Sequence, residues 1–209
     1  MSKSSSMTNY TLTIGDEVHQ LTMSCDHLAC QYSRKLLTSR AQSLVNDPDH
    51  YIKISFTTHE TESAKNEISN YRELQRYGIT PVLVECRESV ITAELVDVDY
   101  QDIIDQFEVS ILILTKIGMS LNDMFVPESL TKKYLGPGPP SRIIVNSDSG
   151  FDNLFPEAIF HDDIRGKIRE LLIKLTQLGW SHDDIHSGNI LIEDDKLYLI
   201  DLELMTRID

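Results

Sequence analysis

The chain of 209 residues contains 19 lysines and arginines against 33 aspartates and glutamates, a formal net charge of −14. Such an excess of acid repels nucleic-acid backbones and anionic lipid surfaces, so we expect neither direct nucleic-acid binding nor membrane association. A composition of 41% hydrophobic and 25% charged residues is typical of a soluble globular protein. The length allows one sizeable domain or two small lobes.

Cysteine usage and the N-terminal sequence indicate the compartment. Cys25, Cys30 and Cys86 are too few for a disulfide framework, and no second cysteine–histidine pair completes a zinc site. The first residues, MSKSSSMTNY, lack the apolar core of a signal peptide, and apolar runs such as 111–114 are too short to cross a bilayer. We therefore expect a soluble, cytoplasmic protein with free thiols.

The first half of the chain is predicted to be mostly sheet. Residues 1–9 are polar and are predicted to be disordered. The predicted strands are 10–14 and 18–23, which form a hairpin, then 35–45, 51–56, 82–85, 90–96 and 109–115. The spacing of apolar residues predicts one helix over 63–78, closed by Gly78.

The second half has a different character. A short helix is predicted over 121–126, and the Pro-, Gly- and Ser-rich stretch 127–151 is predicted to be a long loop. The clearest helix spans 161–179, with Asp162 or Asp163 as the N-cap and Gly179 at its end. Strands at 190–192 and 197–200 flank the turn EDDK and predict a tight antiparallel hairpin. The fold class is therefore α+β.

Polar residues cluster at the base of this last hairpin. Asn189 precedes its first strand and Asp201 follows its second, so the hairpin brings the two side by side. Amide and carboxylate oxygens are ligands suited to Mg²⁺, and Asp184 can point into the same mouth. A solvated acidic loop that caps a structural hairpin is the better explanation for any single one of these acids, but the complete set indicates a functional site.

The residues HDDIHSGN (182–189) followed by LIDLE (199–203) resemble the catalytic loop and metal-binding segment of the protein-kinase-like superfamily. The pattern H-x-D-x-H-x-x-N is similar to that of lipopolysaccharide, aminoglycoside and choline kinases, and the short chain is similar to small KEOPS-type kinases. The resemblance implies that the cofactors are ATP and Mg²⁺. The residue assignments that it implies are Asp184 as catalytic base, Asn189 and Asp201 as Mg²⁺ ligands, and His182 and His186 as supports of the loop.

The same resemblance assigns residues in the first half of the chain. Lys53, within YIKI, would bind the α- and β-phosphates, and Glu67 on the following helix would orient it. The other acids that compete for this assignment are Glu60, Glu62 and Glu73. Lys116 and Ile117, within TKIG, resemble the hinge that holds adenine.

Two departures from the family pattern qualify the resemblance. The stretch TSRAQS has no glycine where a glycine-rich phosphate loop is expected, so Ser39 and Ser43 would help to bind the phosphates. DLE stands where many kinases have DFG. The implied architecture is a two-lobed protein-kinase-like fold with a truncated C-lobe. Its expected divisions are an N-terminal extension with a hairpin (1–30), an N-lobe (31–116) and a short C-lobe (117–209).

Three functions follow from this resemblance. The leading hypothesis is an ATP- and Mg²⁺-dependent phosphotransferase, a serine/threonine protein kinase of minimal size. The alternatives are a small-molecule kinase acting on a sugar or an amino-alcohol, and a non-catalytic kinase-like binding module. A protein substrate, a partner protein or a second copy of the chain is the expected partner.

Overall fold

The computed structural model describes residues 6–14, 17–25, 42–43, 49–97, 100–135 and 137–208. The chain divides into two compact units. The first comprises Met1–Lys65 and Leu83–Lys116, and the second comprises Asn66–Val82 and Ile117–Asp209. The sequence places residues 66–82 in the expected N-lobe, whereas here they group with the second unit.

The first unit is built on a six-stranded antiparallel sheet in which the strand order is β2-β1-β5-β6-β4-β3. The strands are β1 (Ser6–Ile14), β2 (Glu17–Cys25), β3 (Gln42–Ser43), β4 (His50–Phe56), β5 (Leu83–Asp97) and β6 (Tyr100–Thr115). β1 and β2 form the predicted N-terminal hairpin. The two strands predicted at 82–85 and 90–96 are one continuous strand, β5, which pairs along its length with β6.

The last residues of β6 are aliphatic without alternation and are buried on both faces of the strand. Ile111, Leu112, Ile113 and Leu114 are all buried, as expected for a central strand rather than a half-solvated one. β4 pairs with this segment, and Lys53 stands opposite Leu112 with its side chain buried.

The helix α1 (Thr57–Leu74) begins six residues before the predicted start at residue 63. A short 3₁₀ turn, Gln75–Tyr77, continues it, and Gly78 ends it in the left-handed conformation (φ 63°) that favours glycine. Tyr71 and Leu74 are buried. The part of α1 that starts at Asn66 belongs to the second unit, together with the residues up to Val82.

The second unit joins helices to two small sheets. Its helices are α2 (Leu121–Phe125), α3 (Thr131–Tyr134), α4 (Ser141–Ile144), α5 (Asp148–Leu154) and α6 (Asp162–Gln177). Its strands are β7 (Met119–Ser120), β8 (Trp180–His182), β9 (Ile190–Glu193), β10 (Lys196–Leu199) and β11 (Met205–Arg207). β9 and β10 form the predicted hairpin, β7 pairs with β9, and β11 pairs with β8.

Apolar residues of α6 and a group of phenylalanines form the core of this unit. The buried residues of α6 recur at helical spacing and are Ile164, Ile168, Leu171, Leu172 and Leu175. Phe155 lies between Phe151 and Phe160, with ring centroids 5.2 and 5.5 Å away, and all three rings are fully buried. Trp180 is also buried and packs under the guanidinium of Arg207 at 3.9 Å.

Three of the sequence predictions are wrong in detail. Residues 6–9, predicted to be disordered, are part of β1. The stretch 127–151, predicted to be one long loop, contains α3, α4, the start of α5 and a 3₁₀ turn, because short turns satisfy backbone groups between its prolines. The N-cap of α6 is His161, whose extended backbone leaves Asp162 and Asp163 in the first turn, where their charge favours the helix dipole.

Within the described part of the chain, no helix combines the length and the apolar character that crossing a membrane requires.

Leu172→Ala should lower the free energy of unfolding by about 2–5 kcal/mol, because it removes a fully buried side chain from the face of α6 that forms the core. The next residue provides a matched control. Ile173 has the same number of carbon atoms but is exposed, so Ile173→Ala should change stability by only about 0.5 kcal/mol. Urea denaturation of both variants measures the difference, and equal losses would contradict the described packing of α6.

Candidate functional site

His182 lies at the end of β8 and is fully buried. Its Nδ1 accepts a hydrogen bond from the backbone N–H of Asp184 at 3.2 Å, so its proton is on Nε2, which donates to the carbonyl of Ile200 at 3.0 Å. Burial lowers the pKa of His182 below its ordinary value of 6.5, against the opposing effects of its hydrogen bond to Ile200 and of the carboxylates of Asp201 and Asp184. The neutral ring thus joins the loop after β8 to the residue that precedes Asp201.

Asp184 stands at the start of this loop with its carboxylate partly exposed. The backbone N–H of Gly138 donates to its Oδ1 at 2.6 Å, and Nε2 of His186 lies 3.7 Å from its Oδ2. Of the two carboxylate oxygens, Oδ2 therefore has the weaker contact with the protein.

His186 holds the next turn of the loop. Its Nδ1 accepts from the N–H of Gly188 at 3.0 Å, which caps the 3₁₀ turn Ser187–Asn189. Burial lowers the pKa of His186, while the carboxylates of Asp184 and Asp201 oppose that shift. Both histidines therefore accept hydrogen bonds from the backbone of the loop.

Asn189 is buried and is fixed at three points. Its side-chain Nδ2 donates to the carbonyl of Asp184 at 3.0 Å, its N–H donates to the carbonyl of His186 at 3.1 Å, and its carbonyl accepts from the N–H of Ile200 at 3.1 Å. The amide orientation follows from the bond to Asp184 and leaves Oδ1 as the atom for a ligand. The prediction that Asn189 stands directly opposite Asp201 is wrong by one residue, because β10 ends at Leu199 and Asn189 pairs with Ile200.

Asp201 has a left-handed backbone (φ 60°, ψ 56°), a conformation that is unusual for a residue with a side chain. Among the described residues, the other non-glycine positions with positive φ are Asp194 and Asp195, in the two-residue turn of the β9–β10 hairpin, where this conformation is normal. No such turn explains Asp201. Strained backbone of this kind concentrates at functional sites.

Residues of α1 hold the Asp201 segment on its other side. Nδ2 of Asn70 donates to the carbonyl of Leu202 at 2.8 Å. The buried Tyr71 receives a backbone hydrogen bond from Asp201, and burial together with the nearby carboxylates of Glu67 and Asp201 raises the pKa of its hydroxyl. The backbone of Asp201 is thus fixed by side chains from an element distant in sequence.

Glu67, Asp201 and Glu203 each place one carboxylate oxygen within 4.8 Å of the others. Glu67 is fully buried, and the other two are half-buried. Three carboxylates at this separation repel one another unless a cation or proton lies among them. Carboxylate oxygens are hard donors of the kind that Mg²⁺ prefers, so these three residues fit the expected ion.

Of the remaining predicted residues, Ser43, Lys53 and Lys116 belong to the first unit, and Ile117 belongs to the second. Lys53 is buried on β4, and Ser43 lies in β3 opposite Tyr51, although its side chain is outside the description. Ser39 lies outside the described residues. The N–H of Lys116 donates to the carbonyl of Asp49 at 2.7 Å, so an adenine base at this position would need other backbone groups. Ile117 is buried and begins the second part of the second unit.

Sequence reasoning missed a strap, residues 137–141, that lies against the loop after β8. Besides the bond from Gly138 to Asp184, the carbonyl of Pro139 accepts from the N–H of Ile185 at 3.3 Å, and Oγ of Ser141 accepts from the N–H of His182 at 3.0 Å. Proline and glycine in this stretch predict only a loop, and nothing in their order indicates what the loop covers.

Sequence reasoning also missed Glu203, Asn70 and Tyr71 as site residues. The position of Glu203, two residues after Asp201, was the available signal, because a residue at that spacing in a 3₁₀ turn stays near its neighbour. Asn70 and Tyr71 lie about 130 residues earlier in the chain, and no local pattern links them to Asp201.

No family model matches the sequence. The search of curated proteins gave no match either.

His182→Gln should reduce the pH dependence of stability. Because the folded pKa of His182 is lowered, the unfolded chain binds this proton more readily, and the free energy of unfolding falls as the pH drops below about 6.5. Glutamine keeps a donor and an acceptor but does not titrate. Urea denaturation between about pH 7.5 and pH 5.5 should show a shallower loss in the variant than in the wild type. The pKa of His186 is also lowered, so the variant should keep part of the pH dependence of stability. Equal losses of stability with pH in variant and wild type would contradict the lowered pKa of His182.

Proposed function

We propose that the protein is an ATP- and Mg²⁺-dependent phosphotransferase with a two-lobed, protein-kinase-like fold, acting on a serine or threonine hydroxyl of a protein. The observation that supports this most is the hydrogen bond from Nδ2 of Asn189 to the carbonyl of Asp184. It fixes a metal-type oxygen and a carboxylate base on one rigid loop. The chain pattern HDDIHSGN supports the same function, since this arrangement serves phosphoryl transfer in the family that it resembles.

Asp184 would act as the general base. Its Oδ2 accepts the proton of the acceptor hydroxyl as the hydroxyl oxygen attacks the γ-phosphorus of ATP. The bond from that phosphorus to the β–γ bridging oxygen breaks, and ADP leaves with the electron pair. The protein contributes chiefly by positioning these groups and by neutralising charge, as is usual for phosphoryl transfer.

Asn189 and Asp201 would hold Mg²⁺, with Glu203 and Glu67 as further carboxylates beside Asp201. The ion would offset phosphate charge in a chain whose net charge is −14. The resemblance assigns Lys53 to the α- and β-phosphates.

A small-molecule acceptor is the second candidate. The pattern H-x-D-x-H-x-x-N and the DLE sequence, both similar to those of small-molecule kinases, favour it. Radiolabelled ATP offered with a generic protein, with a panel of sugars and amino-alcohols, and without acceptor separates these two candidates from a non-catalytic binding module. Transfer to protein supports the proposal, transfer only to a small molecule supports the second candidate, and no transfer contradicts both.

Asp184→Asn should retain ATP binding and lower turnover by about 10²–10⁴-fold, the usual contribution of a positioned general base. Asp183→Asn is the matched control, because it removes the same charge from the neighbouring residue. The carboxylate of Asp183 is bound to the hydroxyls of Ser181 (2.7 Å) and Thr206 (3.0 Å), so its loss should affect stability more than turnover. Steady-state kinetics measure both variants, and normal turnover of Asp184→Asn would exclude the proposed base.

ATP should bind more tightly with Mg²⁺ than without it, because phosphate and site carboxylates otherwise repel each other. Asp201→Asn should reduce this Mg²⁺-dependent gain in ATP affinity by more than about tenfold. Loss of a residue that only hydrogen-bonds to a metal ligand already lowers metal affinity by about tenfold, and loss of a ligand itself should lower it further. Asp194→Asn makes the same substitution in the same left-handed backbone region, at an exposed turn, and should leave the gain unchanged. Calorimetry with and without Mg²⁺ tests this, and an equal gain in wild type and Asp201→Asn would remove Asp201 as a ligand.

A further inference from the structure

The backbone of the strap lies so close to the catalytic loop that Gly138, at the centre of the strap, has no room for a side chain. A Cβ added to Gly138 would lie 2.0 Å from the carbonyl oxygen of Ile185 and 2.7 Å from its nitrogen. These are backbone atoms, which do not move aside cheaply. Glycine at this position therefore serves close contact with the loop, and the contact directs its N–H to Oδ1 of Asp184 at 2.6 Å.

Two further bonds hold the strap in register. The N–H of Ile185 donates to the carbonyl of Pro139, and the N–H of His182 donates to Oγ of the buried Ser141. Strap and loop thus exchange donors in both directions, and the contacts made by His182 and Ile185 flank Asp184 along the chain. Pro137 and Pro139 flank Gly138 and restrict the backbone of the strap. The direction of the Gly138 N–H is therefore set before any ligand binds.

We propose that Gly138 is a positioning residue for the phosphotransfer reaction: its amide holds Oδ1 of Asp184 and so directs Oδ2 toward the acceptor hydroxyl. This inference rests on the proposed function. A carboxylate on a single bond to Cβ rotates freely unless one oxygen is bound. Holding one oxygen with a charge-assisted hydrogen bond fixes the plane of the other, which is the oxygen that must meet the hydroxyl within hydrogen-bond distance.

The decisive variant replaces Gly138 with glycolic acid in the full-length chain. This substitution exchanges the amide N–H for an ester oxygen and adds no side chain, so the fit against Ile185 is kept. We expect kcat to fall about 10- to 100-fold, the range for a hydrogen bond to a charged group, with the KM for ATP changed less than about twofold. An unchanged kcat would overturn the proposal. A rise in kcat would also overturn it, because the strap would then restrain Asp184 from reacting.

A double-mutant cycle distinguishes positioning from general loosening. In the Asp184→Asn background the base is already absent, so the ester at position 138 should cause little further loss of turnover. Losses that multiply in the double variant would overturn the proposal, since they would show that Gly138 acts independently of Asp184.

Gly138→Ala and Gly166→Ala form a second, conventional pair. The alanine at 138 pushes the strap from the loop and should lower kcat and stability together, whereas Gly166 lies exposed on α6 with nothing within 4 Å of an added Cβ. Gly166→Ala should keep kcat and raise thermal stability. Equal kcat values for the two variants would contradict a positioning function at Gly138.

The Gly138 amide proton gives a reading that does not depend on turnover. In the ¹H–¹⁵N spectrum it should lie downfield, as short hydrogen bonds to carboxylates do, and should move upfield in Asp184→Ala. If the wild type transfers phosphate but this resonance does not respond, the proposed function stands and the positioning proposal fails. If the wild type transfers no phosphate to any acceptor, the proposed function fails and this proposal fails with it, whatever the resonance shows.

Discussion

Two hydrogen bonds on the buried ring of His182 fix the geometry on which the whole candidate site depends. One holds the backbone of Asp184 and the other holds the carbonyl of Ile200, so a single side chain sets the separation between the loop and the segment that carries Asp201. Because the ring is fully buried and neutral, water does not compete for either bond. Asn189 adds further bonds between the same two segments, to the carbonyl of Asp184 and from the N–H of Ile200.

The fold holds several carboxylates of the site close together despite their mutual repulsion. Glu67 and Asp201 approach each other beside the buried hydroxyl of Tyr71, and Asp201 keeps a backbone conformation that a residue with a side chain disfavours. Asn70, Tyr71 and the hydrogen-bonded base of the β9–β10 hairpin hold this arrangement together. Carboxylate oxygens held this close to one another can bind a cation, which supports the proposed metal-dependent phosphotransferase.

Local patterns in the sequence predict the parts of the site that lie within a few residues of one another. Residues 182–201 combine a recognisable order of polar residues with a two-residue turn, and the β9–β10 hairpin follows directly from them. The prediction misses Asn70, Tyr71 and Gly138, which reach the same site from 46 to 132 residues away. Their contribution depends on tertiary packing, and Gly138 in particular acts through a backbone atom that every residue except proline has. The one-residue error at Asn189 arose because the last residue of a strand depends on pairing rather than on hydropathy.

The chain contains a single tryptophan, and its position makes it an intrinsic optical reporter of the proposed catalytic loop. Trp180 lies two residues before His182, buried on β8 and covered by the guanidinium of Arg207 on β11. Selective excitation of tryptophan therefore yields emission from one place in the chain, next to the ring that organises the site. Separation of β8 from β11 would hydrate the indole and shift its emission to longer wavelength, so opening of the loop is visible in the unlabelled protein.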